Sequence, residues 1–268
     1  ASPRPSLNAA IGFLVGLLAA ALILLARDRI DRKPRTGIEL EELWQLPVVG
    51  AIHEIDTNGH VPAATVSAYR MLRSNLLLRA DGDLPRVLLI TSAIEGEGKS
   101  AVAANLARSL AASGRRVVAV SADLGTPSLH QQMAISSSGG IAEVLEDGVY
   151  PTDAVTRVPL ADQDAGGTGL LDLLASDSRS DASTSLVSIA MDHLLGDLQD
   201  EYEIVVIDAP AILPASETVL LARKPGVQML IVATIGRAQR RDIERARERI
   251  ALARIEPIGL VVCGADSE

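Results

Sequence analysis

Three short stretches of this chain carry residue types that can grip a polyphosphate and a divalent cation. The first is Ala93-Ile94-Glu95-Gly96-Glu97-Gly98-Lys99-Ser100. It follows the apolar run Val87–Thr91 and opens an Ala-rich helical stretch, so it reads as strand, glycine loop and helix. Gly96 and Gly98 let the backbone close around phosphate oxygens, and the free N–H groups of a helix start point at the anion. Lys99 can reach β- and γ-phosphate oxygens, and the Ser100 hydroxyl can ligate Mg²⁺. The whole loop from Ala93 to Ala101 is therefore expected to line an ATP or ADP site. Alanine at 93 stands where this pattern usually begins with glycine.

Two acids extend the constellation. Asp208 closes the run Ile204–Ile207, and Asp123 follows Val117–Val120. A carboxylate at the C-terminal end of a central strand can hold Mg²⁺ or its water, and open α/β sheets bind ligands at those ends. Lys99, Asp123 and Asp208 form the expected catalytic set, with Ser100, Asp123 and Asp208 on the metal directly or through water. Either aspartate taken alone reads equally as a cap or turn residue. Their joint position relative to Lys99 favours the metal role. His130 and His193 lie far apart without ligand spacing and are read as surface or packing residues. From Arg237 to Arg254 cations alternate with Asp242, Glu244 and Glu248, the pattern of a solvated helix face.

These residues need a scaffold, and the pattern supplies one. Apolar runs at Val87–Thr91, Val117–Val120, Leu170–Leu174, Ile204–Ile207, Val227–Ala233 and Ile258–Val262 alternate with helical segments. Continuous apolar strands between helices mean a mostly parallel sheet covered on both faces, here a P-loop NTPase fold of the α/β class. The stretches Asp162–Gly169 and Ser176–Ser185 read as loops. Val66, Tyr69, Leu72 and Leu76 recur at helical spacing, predicting an amphipathic helix over Ala64–Leu78 that packs on the domain. The nucleotide-binding domain is thus expected over residues 64–268.

Ahead of it lies a different composition. Ala9–Ala26 is 18 residues without a charge, close to the roughly 20 that cross a bilayer core. Arg27, Arg29, Arg32, Lys33 and Arg35 follow, against Arg4 alone before it, which places the C-terminal side in the cytoplasm. The organisation expected is an extracytoplasmic lead-in at 1–8, a transmembrane helix at 9–26 and a juxtamembrane linker at 27–63. Gly12 and Gly16 have the spacing of close helix approach, a weak signal in a span this rich in small residues. No small-x-small cleavage site precedes the charges, which argues against a signal peptide. The single cysteine, Cys263, excludes an internal disulfide, and a net charge of −9 argues against general nucleic-acid binding.

On these motifs the chain resembles the bacterial tyrosine kinases (BY-kinases) fused to polysaccharide co-polymerases of capsule and exopolysaccharide assembly. The membrane segment is similar to that family's second transmembrane helix, and Leu43–Ile52 to its linker with a Pro-x-x-Gly step. Ala68–Leu76 is similar to the helix before its catalytic core, Ser92–Ser100 to its Walker A loop, Val117–His130 to its Walker A′ and Tyr202–Glu217 to its Walker B. The resemblance implies Mg-ATP, protein-tyrosine autokinase or ATPase chemistry, an inner-membrane location, homo-oligomers and partners in polysaccharide polymerisation and export. Related ParA/MinD ATPases carry a signature lysine where this chain has Ile94, which favours the kinase branch.

Several family positions differ. Walker A′ reads Ser121, Asp123 and Gly125 in place of Asp, Asp and Arg. The Glu-x-x-Arg-x-x-Arg oligomerisation motif reads Ser67, Arg70 and Arg73, and an asparagine expected near adenine is Cys263. The tyrosines Tyr69, Tyr150 and Tyr202 form no C-terminal cluster. Phosphate binding survives these changes better than autophosphorylation, so a nucleotide-dependent regulatory module stands beside the kinase reading. The uncharged run makes a direct prediction: the chain stays in the membrane fraction through alkaline carbonate, and a C-terminal reporter reads cytoplasmic. Release by carbonate or a periplasmic signal would contradict it.

Overall fold

In a computed structural model of the chain, the described residues are 9, 12–22, 33–53, 63–80, 82, 84–136, 140–160, 169–176 and 189–264. Residues 12–22 are helical, with Phe13, Leu14 and Leu22 exposed. Among the described residues no helix is long and apolar enough to cross a membrane. The expected span 9–26 falls partly outside the described residues, as do most of the two long loops read at Asp162–Gly169 and Ser176–Ser185.

The alternating runs fold into one sheet. Its strands are β1 (Val48–Ile52), β2 (Val87–Ser92), β3 (Arg116–Ser121), β4 (Thr156–Arg157), β5 (Leu170–Leu174), β6 (Ile204–Asp208), β7 (Val227–Thr234) and β8 (Gly259–Cys263). They lie in the order β1-β8-β7-β2-β6-β3-β5-β4, parallel throughout except for the short antiparallel pair β4–β5. Both faces of the central strands are buried. In β2, Val87 and Leu89 point into one core and Leu88 and Ile90 into the other. That is why these strands read as unbroken apolar runs.

Helices α1 (Gly37–Trp44), α2 (Ala63–Arg79), α3 (Lys99–Ala111), α4 (Leu129–Gln132), α5 (Ile141–Glu146), α6 (Pro151–Ala154), α7 (Ile189–Glu201), α8 (Glu217–Ala222) and α9 (Arg240–Leu252) cover the sheet. In α2, Tyr69, Leu72 and Leu76 are buried as expected, but Val66 is exposed and Thr65 takes its place. α9 begins three residues later than the charge pattern suggests, because Gln239 is extended at φ −78°, ψ 152°.

Residues 37–52, read from sequence as tether, fold as α1 and β1. The Thr36 hydroxyl accepts from Glu39 N at 3.2 Å, and the Glu39 carboxylate accepts from Arg35 N at 2.8 Å, a reciprocal cap that starts α1. Leu40 and Trp44 then bury against the sheet. β1 pairs in parallel with β8, with Ile52 opposite Cys263. Two glycines make this edge possible: a methyl group on Gly50 would lie 3.0 Å from Leu72, and one on Gly259 would lie 2.5 Å from Val49.

Gly259→Ala is expected to lower stability by about 1–3 kcal/mol, the usual cost of overpacking. The urea midpoint reads it. In a double-mutant cycle Gly259→Ala and Val49→Ala should cost less together than the sum of the two. Strict additivity would mean that the close approach carries no energy.

Candidate functional site

The strand order brings the C-terminal ends of β2, β6 and β3 side by side, with Asp208 opposite Ile90 on one flank and Ser121 on the other. The phosphate loop emerges from β2 there. Gly96 and Gly98 sit at φ +80° and +81°, conformations that glycine alone adopts freely. Gly98 caps α3, and Lys99 is the first helical residue. Ala93 is buried and lies outside the left-handed region, which explains why alanine serves where glycine is usual.

Lys99 and Ser100 are both buried, and Lys99 Nζ bonds Asp123 Oδ2 at 2.6 Å. Asp123 is held by the turn that follows it, its Oδ1 accepting from Thr126 N, three residues on, at 3.1 Å. Asp123, expected on the metal directly or through water, here also pairs with Lys99. Asp208 is fully buried, and neither carboxylate oxygen has a hydrogen-bond partner. Burial pushes its carboxyl up to about 7, while Lys99 and the nearby Ser100 hydroxyl pull it down and Asp123 pushes it up. The Ser121 hydroxyl is also buried without a partner. Orphaned buried oxygens are rare in folded proteins, and three of them, from Ser121 and Asp208, lie at these adjoining strand ends. A hydrated Mg²⁺ fits this donor set, because it takes oxygens from one or two side chains and keeps several waters.

The rest of the loop is held from two sides. Ile212 N donates to Ser92 O and Leu213 N to Ala93 O at 2.8 and 3.1 Å, and the hydroxyls of Thr91 and Thr218 both donate to Pro210 O. On the other side Glu97 turns inward. Its carboxylate accepts from Ile94 N at 3.1 Å and Thr234 N at 3.3 Å, and the Thr234 hydroxyl donates to Glu97 O at 2.9 Å. Among the loop residues expected to line the nucleotide, Glu97 thus faces the protein, whereas Glu95 and Gly96 are exposed and Ile94 is half-buried. Ala101 is buried on α3. Nothing in the local sequence marks Glu97 or Thr234, since the latter comes from β7, far along the chain.

The other expected residues lie elsewhere. Cys263 is fully buried beside Glu97, its thiol pushed up to about 12 by that burial, so it presents no edge to a ligand. His193 is exposed, and His130 is half-buried on α4. A surface cleft of about 390 Å³ opens at the other end of the sheet, lined by Arg116, Arg157, Asp172 and Tyr202 among others. Its buried acid, Asp172, is already matched, accepting from Tyr202 at 2.7 Å and pairing with Arg157 at 2.5 Å.

The sequence of the sheet, loop and helices from Leu88 to Cys263 matches the CobQ/CobB/MinD/ParA nucleotide binding domain. The chain belongs to that family. Among its curated relatives are bacterial tyrosine kinases and a succinoglycan biosynthesis transport protein. The chain is 27% identical to the tyrosine-protein kinase YwqD of Bacillus subtilis (strain 168) over 197 residues, covering 73% of this chain and 79% of that one. It is 24% identical to the tyrosine-protein kinase etk of Escherichia coli (strain K12) over 98% of its own length but only 39% of etk. It is 35% identical to the succinoglycan biosynthesis transport protein ExoP of Rhizobium meliloti (strain 1021) over 50% of its length and 16% of ExoP.

Among solved structures, the kinase domain of Escherichia coli ETK superposes with a TM-score of 0.71 at 23% identity, covering 85% of this chain and 94% of that one. The BceF tyrosine kinase domain gives 0.72 at 23%, covering 88% and 100%. The septum site-determining protein MinD of Pyrococcus horikoshii OT3, complexed with Mg-ADP, gives 0.53 at 20%, covering 66% and 69%. These likenesses establish the shared fold.

Glu97 generates a test. Burial raises its carboxyl from 4.5 to about 7, against the opposing pull of its backbone donors and Arg237. Between those values the folded state holds more proton than the unfolded one, so stability falls as pH rises through the window, and Asp208 acts in the same sense. Glu97→Gln keeps the shape and cannot ionise. It is expected to flatten the fall in denaturant midpoint between about pH 5 and about pH 8. A slope equal to that of the unmodified chain would contradict the assignment.

Proposed function

We propose that this chain is a membrane-anchored Mg-ATP-binding domain of the BY-kinase type that regulates exopolysaccharide or capsule chain length and export, and that it transfers phosphoryl groups to tyrosine slowly. The observation that carries the reading is the convergence of Lys99, Ser100 and the unpartnered, fully buried Asp208 at the phosphate loop. The names of YwqD, etk and ExoP supply the biological direction.

In this reading Lys99 holds charge against the β- and γ-phosphates, and Ser100 and Asp208 hold Mg²⁺. Asp123 sets Lys99 and the metal's water. Bound Mg²⁺ supplies neutralisation of charge on the phosphoryl group. Ser121 stands opposite Asp208 where the family places an acid, and a neutral hydroxyl takes up a proton less readily. Gly125 leaves the neighbouring position without its cation. A Cβ there would lie 3.9 Å from Asp123 Oδ1, an ordinary contact, so the backbone accepts a side chain at this position.

Residues 9–26 serve as the inner-membrane span, 1–8 as lead-in and 27–63 as linker, with 64–268 as the cytoplasmic domain and the polysaccharide polymerase and export machinery as partners. Homo-oligomers formed through α2 are less favoured than in the family. Ser67 lacks the motif acid, and Arg73 is engaged within the chain on the Ser109 carbonyl.

Lys99→Met is expected to abolish Mg-ATP binding in calorimetry, and equal affinity would sink the site. With labelled ATP, the unmodified chain should show little phosphotyrosine. Ser121→Asp with Gly125→Arg should raise it, by as much as about 10² if a general base is restored. Robust phosphotyrosine that the two substitutions leave unchanged would make the chain an ordinary kinase.

A further inference from the structure

Arg237 reads in the sequence as one cation of a solvated helix, yet the fold removes it from that helix. It lies in the loop between β7 and α9, which starts only at Arg240. Backbone bonds fix this loop: Ile235 N donates to Cys263 O at 3.0 Å, Gly236 N to Pro34 O at 2.9 Å, and Arg237 N to Thr234 O at 3.1 Å. Gly236 sits at φ +73°, so the turn needs glycine. The side chain that follows runs to the phosphate loop, where a methyl group on Gly96 would lie 3.8 Å from Arg237 Nη2 and 4.0 Å from Cζ.

Three facts make this placement informative. The Arg237 side chain is exposed and makes no hydrogen bond or contact ion pair with any described residue, unlike Arg247 and Arg249 on α9, which bond main-chain carbonyls. Glu97, on whose carboxyl the Arg237 charge acts, is buried and already accepts from backbone N–H groups. At position 125, where the family that the chain resembles carries an arginine, this chain has glycine and so brings no cation. A guanidinium that no described residue bonds thus stands at the rim of a loop whose backbone is shaped for an anion.

We propose that Arg237 is a second nucleotide-binding cation, its guanidinium donating to polyphosphate oxygens of ATP from the β7–α9 side of the loop. The proposal rests on the phosphate-loop reading given above. Planar guanidinium presents several donors at once to phosphate oxygens, which suits it to this role more than lysine. Lys99 reaches the phosphates from the start of α3, and Arg237 reaches them from another element.

The test measures binding of ATP, and of tripolyphosphate as its competitor, to the full chain in detergent. Unmodified protein, Arg237→Gln, Arg237→Lys and Lys99→Met are compared. Arg237→Gln is expected to weaken ATP by about tenfold, the loss of one charged hydrogen bond, with an unchanged thermal melt. Tripolyphosphate should lose affinity by a similar factor, Arg237→Lys should recover part of it, and salt should narrow the gap. ATP affinity unchanged in Arg237→Gln, beside its loss in Lys99→Met, overturns this inference alone. Weakened ATP with unweakened tripolyphosphate assigns Arg237 to the base and overturns the polyphosphate contact. Full ATP binding by Lys99→Met, or none by the unmodified chain, overturns the phosphate-loop reading and this inference with it.

Discussion

A lysine ammonium buried against one carboxylate and close to a second sets the terms for everything at the carboxyl end of this sheet. Lys99 and Asp123 are both nearly removed from water, and their 2.6 Å bond offsets a desolvation that neither could bear alone. Asp208 has no such partner. It is fully buried with both oxygens unmatched, and Ser121 beside it is unmatched as well. The loop above presents helix N–H groups and glycine backbone, which favour negative charge. One side of the site therefore suits a cation and the other an anion. A metal-bound polyphosphate presents both.

Holding such charges in place requires a rigid frame, and the hydrogen bonds show how the frame is made. The loop is tied to the β6–α8 turn through Ser92 and Ala93, and the Pro210 carbonyl in that turn collects the hydroxyls of Thr91 and Thr218. It is tied to β7 through Glu97 and Thr234. A buried carboxylate is an expensive tie, and its raised pKa reports that expense. What it achieves is geometric: the exposed half of the loop can be glycine-rich and open because the buried half is bonded to the sheet.

The edge formed by α1 and β1 connects this site to the stretch that follows the basic run. Pro34 accepts from Gly236, one residue from Arg237, and α1 is bonded to α9 through Arg247 and the Leu43 carbonyl. Gly50 and Gly259 permit the close approaches that let a five-residue strand join the sheet beside β8. The segment leading into the domain is thus built into the same face of the molecule as the loop that carries Arg237.

Much of this was legible along the chain. Continuous apolar runs announced the central strands because both of their faces are buried, and Gly96, Gly98, Lys99 and Ser100 announced the loop because a phosphate grip needs consecutive residues. Asp123 and Asp208 were readable as the ends of those runs. β1 was hidden by its shortness, its glycine and the preceding Pro47, features shared with linkers. Arg237 was hidden by the helix-like charge pattern around it, and Glu97 by its likeness to Glu95, an acid of the same loop that is exposed. Sequence by itself determined the elements and the loop, since local spacing and side-chain type carry that information. Only the tertiary structure decided which acid takes Lys99, which stays unmatched, and which distant side chains close on the loop, because those depend on strand order and on burial summed over residues far apart in the chain.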